Sequence, residues 1–266
     1  MILCVILMYM ERFTIVARPD ELSTMLASEV TRKLEEAGFH RDDEHPDTVL
    51  VIGGDGTFLY AVHEYIDQLK DVRFFGIHTG TLGFYSDYKD EEILDYMDVL
   101  LHDRGTESEY PVLRAQVGNQ RYYGLNEIRI ENAARTQVMD VYINEQKFET
   151  FRGTGMCVCT QLGSTAYNRS LGGAVIQEGL DLIEMCEISG IHHSKYRSLD
   201  APFVLKSNTI LNFKSDSFKG ALLGVDSDVY PLNEAKKVEI KICNVRKVRV
   251  LHGKKVSYFE RLKTLF

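Results

Sequence analysis

The chain has 266 residues, of which 44% are hydrophobic, and a formal net charge of -8. That length and apolar content allow one large domain or two intimate ones with a real core, and they exclude global disorder. The acidic balance argues against general binding to nucleic acid or to an anionic membrane, yet leaves room for a nucleotide whose few phosphates are neutralised locally.

The opening run MILCVILMYM is apolar but too short to span a bilayer, lacks a basic flank and leads straight into Glu11 and Arg12. It reads as neither a transmembrane helix nor a signal peptide. Because a strand-like run begins at Phe13, the first nine residues are expected to be dispensable, the product of an upstream start codon, with a genuine extra edge strand as the competing reading. Residues 13–17 read as the first strand. A helix follows over 21–37, with Leu22, Met25, Leu26, Val30 and Leu34 as its apolar stripe and Gly38 as its stop. Residues 48–52 read as a buried strand, then a glycine turn, then a helix carrying Phe58, Leu59, Val62 and Ile66, then a strand over 73–78. This βαβαβ order predicts a parallel sheet.

From about Tyr110 the pattern changes to short runs rich in Val, Ile, Tyr and Thr, such as 114–117, 137–143 and 209–213, separated by Gly, Asn and Asp turns. The second half is therefore expected to be mostly β, with the composition shift at 103–108 as the boundary. The basic residues after Val245 alternate with Val and Leu, which predicts a strand with one solvated face rather than a nucleic-acid arm. The five cysteines, Cys4, Cys157, Cys159, Cys186 and Cys243, are odd in number and form no C-x-x-C pair. Neither a disulfide framework nor a zinc site is indicated, and a cytoplasmic location is the simple inference.

The segment richest in chemistry is Val49-Leu50-Val51-Ile52-Gly53-Gly54-Asp55-Gly56-Thr57, an apolar strand entering a glycine turn and then a helix. Glycines there let the backbone approach a polyphosphate and aim N–H groups at it, with the helix N-terminus behind. The lysine of a Walker loop and the spacing of a dinucleotide-binding loop are both absent. Asp55 is a carboxylate among phosphate-binding amides, suited to taking a proton or holding a metal, or else to a structural Asp-Gly turn. A second glycine-rich loop, Gly76-Ile77-His78-Thr79-Gly80-Thr81-Leu82-Gly83-Phe84, leaves a strand at the same sheet end. Asn126-Glu127 offers an amide and a carboxylate suited to a ribose or an adenine edge. Gly163-Ser164-Thr165-Ala166-Tyr167-Asn168 adds two hydroxyls and an aromatic platform.

Together these segments resemble the NAD kinases. Gly53-Gly54-Asp55-Gly56-Thr57 looks like that family's signature, Asn126-Glu127 like its ribose-binding pair, and Gly163-Ser164-Thr165-Ala166-Tyr167 with Ser170-Leu171-Gly172-Gly173 like its third motif. The likeness runs from about Phe13 to the C-terminus and is nearest to members from low-GC Gram-positive bacteria. It implies a Rossmann-like α/β domain over 1–105 with the phosphate loop, and a sandwich-like β domain over 106–256 for NAD binding and oligomerisation, with 257–266 able to return to the first. It also implies a divalent cation, Mg2+, with ATP or polyphosphate as phosphoryl donor, NAD as acceptor, and a homo-oligomer, dimer or tetramer; no nucleic acid or membrane partner is expected.

By the same resemblance, Asp55 faces the 2′-hydroxyl of the adenosine ribose, and Gly53, Gly54, Gly56 and Thr57 form the phosphate loop. Gly56, Phe84 and Tyr85 lie beside the adenosine, while Asn126 and Glu127 hold ribose or adenine. Ala166, Tyr167 and Ser170 line the adenine pocket, Thr165 is a further NAD-binding residue, Asp226 is a further ligand-side aspartate, Arg152 precedes a contact to the ligand's far end, and Ile191 comes from a second subunit. Thr154 stands where the family usually has aspartate, Gln161-Leu162 replaces a usual Pro-Thr or Pro-Ser, and Ser227 replaces His or Gly. All three departures fall on the nicotinamide side. Two rivals remain: a lipid kinase sharing the glycine signature, and a non-catalytic NAD-binding sensor, against which the intact Asp55, Asn126 and Glu127 weigh.

Overall fold

The computed structural model describes residues 10–81, 83–192, 196 and 198–265. The expectation for the first nine residues lies outside them. The chain divides into two compact units, Met1–Tyr110 with Lys247–Phe266, and Pro111–Arg246.

In the first unit, strands β1 (Arg12–Ala17), β2 (His40–Arg41), β3 (Thr48–Ile52), β4 (Arg73–His78) and β5 (Tyr88–Lys89) alternate with helices α1 (Glu21–Glu36), α2 (Asp55–Glu64) and α3 (Ile93–His102). All pairings among these strands are parallel, and β1, β3 and β4 lie side by side in that order. β3 and β4 are buried at every residue, which is why 49–52 and 74–77 show no polar–apolar alternation. α1 starts at Asp20, whose side chain accepts the Ser23 N–H, and Gly38, at φ +93°, lets the chain turn away after it. The expected stripe of α1 is narrower than the periodicity suggests. Leu26, Val30 and Leu34 enter the core with Phe13, Leu50 and Phe75, whereas Leu22 and Met25 are exposed. Likewise α2 ends at Glu64, so Ile66 falls in the following turn rather than on the helix.

The second unit is built from β6 (Thr106–Val117), β7 (Gln120–Gly124), β8 (Glu127–Glu131), β9 (Gln137–Ile143), β10 (Gln146–Thr160), β11 (Leu182–Gly190), β12 (Phe203–Lys206), β13 (Leu211–Lys214), β14 (Leu222–Val225), β15 (Asp228–Pro231) and β16 (Lys237–His252), with the short helix α4 (Tyr167–Ser170) after β10. The unit takes β6 from Pro111 onward and β16 up to Arg246, and β10 pairs antiparallel with β8, β9 and β11. The expected strand at 209–213 begins two residues later, at Leu211, because the Thr209 N–H turns back to the Lys206 carbonyl. The core gathers Leu113, Ile128, Met156, Val158, Phe213 and Leu223. Cys157 and Cys159 are fully buried and burial pushes both thiols up, so they act as small apolar residues. The basic stretch after Val245 is indeed strand, and its end pairs with β4 through Val250 and Phe74. Helix α5 (Tyr258–Lys263) follows, capped by reciprocal bonds between Ser257 and Glu260.

Candidate active site

At the end of β3 the backbone turns through Gly53 and Gly54 into α2. A side chain at Gly53 would put its Cβ 2.4 Å from Thr57 Oγ1, so only glycine lets the turn close this tightly. Asp55 opens the helix, where a negative charge sits favourably against the helix dipole. Its carboxylate accepts the Phe84 N–H at 3.1 and 3.0 Å and the Tyr85 N–H at 3.4 Å. Gly83 is forced by the same approach, since a Cβ there would lie 2.0 Å from Asp55 Oδ1. The structure therefore brings Gly53, Gly54, Asp55, Gly56, Thr57, Phe84 and Tyr85 into one cluster, with Asp55 half-buried and Gly56 exposed. Tyr85 stacks on Phe58 with centroids 4.7 Å apart.

The loop that reaches Asp55 is anchored from the far end of the chain. Arg261 on α5 donates to the Gly83 carbonyl at 3.1 Å, the Ser86 carbonyl at 2.5 Å and the Asp87 carboxylate. Asp87 also takes His252 Nδ1 and the Gly253 N–H, each at 3.1 Å. Burial alone would raise the Asp87 carboxyl, but His252 and Arg261 more than offset it and hold it below its ordinary value. These anchors escaped the sequence reading, and no local motif marks them.

In the second unit, Asp226 occupies the turn between β14 and β15 with φ 50°. Its carboxylate accepts the Leu125 and Asn126 N–H groups at 2.7 Å each and the Glu127 N–H at 3.1 Å. Gly163 packs so closely on this corner that a Cβ would fall 2.0 Å from the Asn126 carbonyl oxygen. Thr160 ties the two together, donating Oγ1–H to the Leu125 carbonyl at 2.7 Å and accepting the Gly163 N–H at 3.1 Å. Asn126, Glu127, Asp226 and the loop of Thr165 are thus one assembly. Glu127 is pushed up to about 7 by burial first and by the nearby Asp226 second, with Arg129 opposing. Arg129 lies 4.7 Å over the Tyr167 ring, and the Tyr167 hydroxyl donates to Glu131 at 3.2 Å.

Ala166, Tyr167 and Ser170 ride on a loop held by the buried Glu184, which accepts Asn168 Nδ2–H at 2.8 Å and the Ala174 N–H at 2.7 Å. Gln161, one of the departures, donates its amide to the Ile176 carbonyl at 3.2 Å; Leu162 beside it is buried and Ser227 is exposed. Arg152 and Ile191 meet through an Ile191 N–H bond of 2.7 Å to the Arg152 carbonyl. Ile191 is 48% exposed. Thr154, half-buried on β10, accepts the Asn132 N–H on its carbonyl.

Among the described residues, the one group of three metal-type side chains is Glu187, His192 and Asp200, which includes none of these positions. The Asp55 carboxylate takes its hydrogen bonds from backbone N–H groups and offers one protein ligand. That suits Mg2+, which commonly takes one or two carboxylates and completes its shell with substrate phosphates and water.

The first part of the chain, residues 17–105, matches the family model of the ATP-NAD kinase N-terminal domain, and residues 125–252 match that of the C-terminal domain. The chain belongs to the ATP-NAD kinase family. Similar ATP-NAD kinases include an NAD kinase of Latilactobacillus sakei, 36% identical over 261 residues, which are 96% of this chain and 97% of that protein. NAD kinase 1 of Bacillus cereus is 33% identical over 261 residues, 96% of this chain and 98% of its own. The fold is that of yeast NADH kinase complexed with NADH, at TM-score 0.80 and 17% identity over 96% of this chain and 86% of that one. It is equally that of an NAD kinase from Archaeoglobus fulgidus in complex with ATP, at TM-score 0.75 and 18% identity over 95% and 99%.

Proposed function

We infer that this ATP-NAD kinase family member transfers the γ-phosphoryl group of ATP to the 2′-hydroxyl of the adenosine ribose of NAD, giving NADP and ADP. The observation that supports this most is the Asp55 carboxylate, held at a helix N-terminus by two amides of a facing loop and left half-open. Asp55 accepts the proton of the attacking hydroxyl. A carboxylate is a weak base toward an alcohol, so the proton moves late, as the loose phosphoryl transition state acidifies the attacking oxygen. Gly53, Gly54 and Gly56 present their backbone to the phosphates, and Thr57 closes the turn. Asn126 and Glu127 hold ribose hydroxyls, Thr165, Ala166, Tyr167 and Ser170 line adenine, and Asp226 fixes the backbone of the Asn126-Glu127 pair. Arg152 and Thr154 serve the far end of NAD. A divalent cation such as Mg2+ would neutralise phosphate charge, and the half-open Asp55 carboxylate is the side chain of the turn that would hold it.

The enzyme works as a homo-oligomer, dimer or tetramer, in which the exposed Ile191 completes the site of a second subunit. Among the described residues no helix is long and apolar enough to cross a membrane. The four described cysteines are free and buried, which suits the reducing cytoplasm.

The test is direct. Purified protein receives Mg2+, ATP or polyphosphate, and NAD or NADH, and the product is measured by a coupled dehydrogenase. NADP formation that requires the cation is the expected result. No phosphorylation of either nucleotide, with tight NAD binding, would make the protein a sensor instead.

A further inference from the structure

We propose that His78 contacts substrate in this reaction, its Nε2–H donating to an oxygen of the oligophosphate chain that lies on the 53–56 turn. The proposal rests on the kinase reading above. His78 is the last residue of β4, next to the strand that delivers the turn, and it is 7% exposed. Nδ1 is sealed from solvent and has no hydrogen-bond partner among the described residues. The ring lies between two loops of glycine. A Cβ at Gly54 would stand 3.5 Å from Nε2, and a Cβ at Gly80 would stand 3.8 Å from Cε1 and Nδ1. Gly54 and Gly80 themselves carry no side chain to cover the imidazole.

A purely structural residue in this place gains nothing from ring nitrogens, because a buried polar atom without a partner is a cost that an apolar side chain avoids. The tautomer follows from the same reasoning. A proton on Nδ1 would bury an N–H without an acceptor, so it belongs on Nε2, the nitrogen nearest the phosphate turn. Burial is the largest influence on the ring and holds it below its ordinary value; Asp55 and Asp90 favour the imidazolium, while Arg18 and Lys89 oppose it. The ring therefore meets the phosphates as a neutral donor. It stands beside the 53–57 turn, which has no lysine where a Walker loop carries one.

Either the ATP triphosphate or the NAD pyrophosphate supplies the oxygen, and separate KM values distinguish them. Steady-state kinetics of wild type, His78→Phe and His78→Gln would be compared between pH 7 and 9, alongside melting temperatures. The expected result is a rise of about tenfold or more in the KM of one nucleotide for His78→Phe. His78→Gln, which restores an N–H, recovers most of that affinity, and the wild-type KM stays flat with pH. Should His78→Phe fail to fold, His78→Leu takes its place against the same His78→Gln control. Unchanged KM values in the apolar variant, or equal losses in His78→Gln and His78→Phe, would overturn the proposal. So would a wild-type KM that climbs steeply by pH 9, the mark of an imidazolium contact. A wild type that makes no NADP would instead defeat the kinase reading itself.

Discussion

Two aspartates, Asp55 in the first unit and Asp226 in the second, are both tied by backbone amides, and they are presented in opposite ways. Asp55 opens a helix, and the Phe84 and Tyr85 amides come to it from a separate loop while one side of the carboxylate stays open. Asp226 is 4% exposed and takes three successive amides, those of Leu125, Asn126 and Glu127. Charge-assisted bonds of this kind are roughly twice as strong as neutral ones. A sealed carboxylate fixes backbone geometry. An open one, held at a known place, remains available for a proton.

The comparison extends to what holds each aspartate's partners. The loop around Asp55 depends on the buried Arg261–Asp87 pair, so Arg261→Met leaves Asp87 buried with only His252 and the Gly253 N–H beside it. Breaking such a pair costs about 3–5 kcal/mol. The expected outcome is a fall in melting temperature of roughly 10 °C and a loss of turnover as the Phe84 and Tyr85 amides leave Asp55. Because the Asp87 carboxyl is held below its usual 3.8, its contribution is in place above that pH and disappears as pH falls through the depressed value. His252 still faces Asp87 in the variant, so its acid titration should show that transition weakened rather than abolished. A variant as stable and active as wild type would show that the Asp55 loop holds itself.

Asp226→Ala removes the acceptor for three amides, at a cost of about 2 kcal/mol. Here the KM for NAD is expected to rise about tenfold while turnover at saturation changes less, read by steady-state kinetics. Glu127→Gln probes the neighbouring carboxyl, whose value of about 7 means that the folded state prefers it protonated. That preference stabilises the fold below the ordinary 4.5 and is lost as pH rises to about 7. Wild-type melting temperature should decline over that window and the variant's should not; parallel curves would remove Glu127 from the account. The smallest effect is expected at Thr154→Asp, which places a carboxylate where the resemblance implies one, on the proposed ligand side. About 1 kcal/mol, or a fivefold lower KM for NAD at constant turnover, is expected.

The sequence was legible wherever a local pattern carried the physics. β3 and β4 are buried at every residue and read as strands from their apolar centres, 49–52 and 74–77, and the Asp55 turn was visible because close approach demands glycine. The helix stripe on α1 was read too wide at Leu22 and Met25, since periodicity gives a helix its apolar face without saying how much of that face another element covers. The anchoring of the Asp55 loop was invisible for a different reason. Arg261 and Asp87 are 174 residues apart, and His252 and Asp87 are 165 apart, so no spacing rule connects them. Asp226 was placed among ligand-side residues by resemblance alone; its hold on the 125–127 backbone emerges only when the hairpin turn is seen against β8.

The separation of chemistry from architecture is tested most directly by Asp55→Asn, with NAD affinity measured by calorimetry and turnover by NADP formation on the same preparation. Asparagine keeps an oxygen to accept the Phe84 N–H but cannot take the proton. The account predicts turnover lower by at least about a hundredfold, with NAD affinity and melting temperature close to wild type. Affinity and turnover falling together would contradict it, and would make Asp55 a structural turn residue like Asp226.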